Sequence, residues 1–148
     1  MIRKNGEGLI LTKWAVLLVV VACFFAYGCR NSKQEVTSTV QNLLKAAYEK
    51  NSAHVRRYVD FDAMLDRSLK EQGIADIDAD RRKNIINGLV ESACHLSKED
   101  YQRALQTMKV EVGPNGNIAA AVYSTVGRTD ITLTLEKKKT GWVVTAIE

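Results

Sequence analysis

The hydrophobic period of this chain changes once, near residue 108, and that change splits the folded body into helices followed by strands. Before it, apolar residues recur at helical spacing. Val36, Val40, Leu43, Leu44, Ala47 and Tyr48 fall at i, i+4, i+7, i+8, i+11 and i+12, one face of a helix over 35–50. Asn51 and Ser52 interrupt the pattern, and Ser52 is suited to cap a short helix carrying Val55, Tyr58 and Val59. Phe61, Met64, Leu65 and Leu69 continue an apolar face up to Gly73. Asp78 or Asp80 then caps a helix bearing Ile85, Ile86, Leu89, Val90 and Ala93. Ser97, with Glu99 and Asp100 behind it, opens a last helix that turns Tyr101, Ala104, Leu105 and Met108 inward.

Beyond residue 108 the side chains alternate. Lys109–Val112 is a short strand, and Gly113-Pro114-Asn115-Gly116-Asn117 is a turn. Ile118, Ala120, Val122, Ser124 and Val126 are expected to share one face of the next strand, and Ile131, Leu133 and Leu135 one face of the third. After Thr140-Gly141 a final strand is expected to put Trp142 and Val144 on one face and Val143 and Ile147 on the other. Short connections between four such strands predict an antiparallel meander. Only the helices are available to cover one of its faces, so the fold class is α+β, with N-terminal helices packed on a curved C-terminal antiparallel sheet of about four strands.

The first 28 residues have a different character. Arg3, Lys4 and Lys13 precede an uncharged run from Trp14 to Cys29, which Arg30 closes. Sixteen helical residues span about 24 Å, short of the ~30 Å hydrocarbon core of a bilayer. A basic start, a short apolar stretch and small residues at its end describe a secretory signal. The ending Ala26-Tyr27-Gly28-Cys29 resembles the lipobox of bacterial lipoprotein signal peptides. That resemblance implies removal of residues 1–28, lipidation at Cys29, a short tether over 29–34 and a folded domain over 35–148. It places the body in the cell envelope, held to the membrane by its lipid and facing outside the cytoplasm. Arg30 stands where Asp favours inner-membrane retention, so in a Gram-negative host the outer membrane is favoured. The competing reading is an uncleaved signal anchor, tilted or snorkelling at Lys13 and Arg30.

Charge follows the same division. The chain carries +4, but without the leader 18 basic face 16 acidic residues. A body near +2 with mixed signs has no electrostatic footprint for nucleic acid. Arg56-Arg57, Arg81-Arg82-Lys83 and Lys137-Lys138-Lys139 are short, separate clusters that read as solvated faces. Outside the leader only Cys29 and Cys94 remain, without CxxC or Cys/His ligand spacing, so neither a metal site nor a cofactor is expected.

A long amphipathic helix, a short helix ending Tyr58-Val59-Asp60-Phe61, and a closing meander with Gly141-Trp142-Val143-Val144 resemble the cystatin-like roll of the nuclear-transport-factor superfamily. Within it they resemble small bacterial lipoproteins of unassigned function. The matching segments are Val36–Asp60 and Val110–Ile147, and the middle, 62–105, is more helical than the usual pattern. The resemblance implies a cavity between sheet and helices, into which Tyr48, Tyr58, Tyr101 and Tyr123 are candidates to point. Core packing of the same tyrosines is the competing reading, since a buried hydroxyl needs a partner in any case.

Catalytic constellations are weak. Asp60 and Asp62 flank Phe61 at a helix junction, where capping is the simpler role. Glu111 and Glu136 alternate with apolar residues, and Asp130 adjoins a turn. His54 stands at a helix start, and His95 neighbours Cys94, but adjacent helical residues point about 100° apart. Cys94 lies on the apolar stripe with Val90, as a buried inert thiol would. No catalytic residue is therefore assigned. The expected function is a membrane-anchored, non-catalytic module that binds a protein partner or a small apolar ligand. The alternatives are a small cavity enzyme of isomerase or hydrolase type and an assembly component of a secretion machine.

Overall fold

The computed structural model describes residues 31–148, in which five helices precede four strands. Helix α1 covers 31–48. It is already helical at Asn31, four residues before the expected start at 35, because the turn Asn31, Ser32, Lys33, Gln34 is polar and leaves no hydrophobic mark. Val36, Val40 and Leu44 are buried, and burial of each such side chain contributes about 1.5–3 kcal/mol. The helix stops at Lys50, whose φ of 55° lets the Asn51 N–H donate to the Ala46 carbonyl at 2.8 Å.

Three side chains expected as caps are found in place. Helix α3 (Phe61–Glu71) is capped by Asp60, which accepts from the Ala63 N–H. Helix α4 (Ala79–Ala93) is capped by Asp78 rather than Asp80, and α5 (Lys98–Thr107) by Ser97. Helix α2 (Ser52–Tyr58) differs from expectation: Asn51 is the cap and accepts from the His54 N–H, while Ser52 is the first helical residue. The chain leaves the α1 terminus with Asn51 already outside helical geometry, so the cap falls one residue earlier.

Strands β1 (Lys109–Val112), β2 (Ile118–Tyr123), β3 (Ile131–Lys138) and β4 (Gly141–Ile147) form an open antiparallel sheet in the order β1-β2-β3-β4. The class is α+β, as the change of period predicts. Ala121 lies opposite Val110 on one side and Leu133 on the other, and Leu135 lies opposite Val144. Residues opposite each other share a face, so Ala119 and Ala121 belong to the core face of β2. Both are buried, whereas Ile118 is 59% exposed. The expected face, Ile118 to Val126, is therefore the outer one, and the strand ends at Tyr123. The core face of β2 carries small residues where α5 approaches.

Trp142 and Val144 are buried together with Val40, Leu44, Leu133 and Leu135. Ile147 does not join Val143 on the outer face. A bulge at Thr145 places Thr134 opposite Ala146 and Leu133 opposite Ile147, so the period of two is broken before Ile147 is reached.

Candidate functional site

The outer edge of β4 organises the helical layer. Val59 forms a parallel bridge to Val144, and the Asp60 N–H donates to the Val144 carbonyl at 2.8 Å. This extended pair occupies part of the edge and launches α3 along it. Arg82 of α4 then clamps α3: its Nη1 donates to Asp66 Oδ1 at 2.8 Å and its Nε to Asp62 Oδ1 at 2.9 Å. The two carboxylates hold the Arg82 guanidinium proton even more firmly than usual, Asp66 contributing most. Arg56 Nη2 donates to Asn87 Oδ1 at 2.8 Å and ties α2 to α4.

Between α3, α4 and the end of β4 lies a cleft of about 370 Å³. Met64, Leu65, Ile85, Leu89 and Ile147 supply its apolar wall, and Arg67 stands among its lining. Ile85 and Leu89 are only half-buried, so the apolar stripe of α4 is incompletely covered. Thr145, buried at the bulge, donates from Oγ1 to Glu136 Oε1 at 3.4 Å. Two further clefts adjoin, one of about 400 Å³ beside Asp60, Asp62 and Lys138, the other of about 440 Å³ beside Asp66, Asp76 and Arg82.

None of the four candidate tyrosines lines these three clefts. Tyr48 and Tyr101 are brought together, with ring centroids 5.0 Å apart and planes 6° from parallel. That contact joins the end of α1 to α5, and Tyr48 is 39% exposed. Tyr58 and Tyr123 are half-buried at the margin of the core. Burial pushes the Tyr123 hydroxyl pKa up, and the charge of Arg128 partly opposes this. Cys29 lies outside the described residues.

The acids and histidines are dispersed. Asp60 caps α3, Asp62 pairs with Arg82, and His54 on α2 and His95 in the connection between α4 and α5 are both exposed. Cys94 is buried, and burial pushes its thiol pKa up against the opposing charge of Arg56. Among the described residues no group of three His, Cys, Asp or Glu side chains is placed to hold a metal ion. Nor is any described helix long and apolar enough to cross a membrane. The cleft residues were visible in the sequence only as helix stripes. The half-burial of Ile85 and Leu89, which makes them available, depends on where α3 and β4 end.

No protein-family model, curated protein or solved structure matches this chain.

Proposed function

We propose that the chain is a membrane-anchored extracytoplasmic lipoprotein whose α+β body is a non-catalytic binding module. The observation that carries this reading is the junction at Gly28-Cys29 in the sequence, where a basic start and an apolar run end, with the chain already helical at Asn31. Lipidation at Cys29 would attach two or three acyl chains to a body that begins almost at once. At about 0.8 kcal/mol per buried methylene, several chains anchor stably where one does not. A cystatin-like roll belongs to the same proposal, supported by the way α1 shares a core with the antiparallel meander.

The binding role is supported by the cleft between α3, α4 and β4. Its apolar wall and neighbouring arginine suit a small apolar ligand or an apolar side chain of a protein partner. The residues with acid–base potential support the non-catalytic part, since Asp60 and Asp62 are engaged in a cap and an ion pair.

Mass spectrometry of the protein from bacterial membranes tests the anchor. The expected N-terminus is an acylated Cys29, and Cys29→Ser is expected to retain the leader. An N-terminus at Met1 with unmodified Cys29 contradicts the proposal.

A further inference from the structure

We propose that the end of the molecule bearing the start of α1 and the β3–β4 turn docks on anionic lipid headgroups, with Lys33 and Lys137–Lys139 as its charged contacts. This rests on the membrane-anchored reading. Lys33 and Lys137 are remote in sequence, and the fold joins their segments. Glu35 Oε2 accepts from both Lys137 Nζ and Trp142 Nε1, each at 3.2 Å, which pins the β3–β4 hairpin to the first turns of α1. The Lys137 N–H donates to the Asn117 carbonyl at 2.9 Å, so the β1–β2 turn lies at the same end.

Lys33, Lys137, Lys138, Lys139 and Arg56 face Glu35, Glu136, Asp60 and Asp62 around this end, a small positive excess, and Asp62 is itself paired with Arg82. Lys137 pairs with Glu35 and Lys138 with Glu136, whereas Lys33 and Lys139 take part in no salt bridge among the described residues. All four lysines are exposed. The occupant follows from where the chain enters. Helix α1 is under way at residue 31, two residues after Cys29. Two extended residues reach about 7 Å, within the ~10 Å Debye length at 0.1 M salt. A membrane that holds Cys29 therefore lies close to residue 31, at the end of the molecule that carries these lysines. The β2–β3 connection, the α5 start and Lys50 lie at the other end, where Asp100 of α5 accepts from the Val126 N–H.

The test uses the full processed chain on vesicles of phosphatidylcholine with and without phosphatidylglycerol. Modification of each lysine by an amine-reactive reagent is followed by peptide mass spectrometry. Lys33 and Lys139 are expected to react about fivefold more slowly on the anionic vesicles, the effect of one basic residue held at such a surface. High salt should restore the rate, and Lys50 and Lys98 should be unaffected. The double variant Lys33→Glu/Lys139→Glu, changed only at exposed positions, should remove the lipid-dependent protection of Lys138. Equal reaction of Lys139 on both vesicles, with the chain still bound, overturns the docking and leaves the anchor standing. A chain that floats with neither vesicle overturns both.

Discussion

Lys50 holds a backbone conformation that its own Cβ opposes. Its φ of 55° closes α1 and frees the Asn51 N–H for the Ala46 carbonyl. Glycine is the usual occupant of that position because it meets no steric penalty there. Lys50→Gly is accordingly expected to raise stability by about 0.5–1 kcal/mol, read as a shift in the urea midpoint at unchanged slope. Trp142 shows the opposite case, a residue matched to its place. Its ring is buried with Val40 and Leu44 while its Nε1–H reaches Glu35 at the surface. Trp142→Ala is expected to cost about 3–5 kcal/mol, because the cavity left behind adds to the lost transfer energy. Trp142 is the sole tryptophan after residue 28, so unfolding of the variant is followed by circular dichroism rather than fluorescence.

Strand β2 shows how an element can carry its larger side chains outward. Ile118 and Val122 stand on the outer face, and Ala119 and Ala121 on the core face. Ala121→Leu is therefore expected to cost about 1–3 kcal/mol by overpacking. Ile118→Thr should change stability by less than about 0.5 kcal/mol, and thermal melts of both variants distinguish the two faces. The loop after β2 is held by charge. Asp100 accepts from the Val126 N–H at 2.8 Å and from the Ser97 hydroxyl, and these bonds, the Val126 bond foremost, lower its pKa. A depressed folded pKa stabilises the fold above the unfolded carboxylate value, about 3.9, and the contribution is lost as pH falls through the folded one. The protection of the Val126 amide, its exchange rate relative to an unstructured amide at the same pH, should fall on acidification by more than in Asp100→Asn.

Across the whole molecule, burial is concentrated in the sheet and α1 and thins toward α4. Strand β3 buries Ile131, Leu133 and Leu135, whereas α4 buries Val90 alone and holds to α3 through the exposed Arg82–Asp62–Asp66 cluster. Local opening follows buried contacts. Native-state hydrogen exchange is expected to show α4 amides opening below the global free energy, with β3 amides exchanging only on complete unfolding. Equal protection of the two would contradict this ordering. The cleft borders the weakly held helix, so a ligand there would raise α4 protection first.

The order of elements and their class were legible in the sequence, because side-chain period is a local property that survives without knowledge of the partners. Three of the helix caps were legible for the same reason: Asp60, Asp78 and Ser97 bond to amides three residues away. Three features were decided only by the tertiary structure. The inner face of β2 depends on how closely helices approach, which alanines permit and a hydrophobicity pattern does not record. The side taken by Ile147 depends on the Thr145 bulge, a one-residue shift set by pairing with β3. The cleft and the Lys33–Lys139 end exist because α3 follows the β4 edge and Glu35 captures Lys137, contacts between segments far apart in the chain. Local chemistry determines which element forms, but the exposure left on each face is determined by the neighbours that cover it.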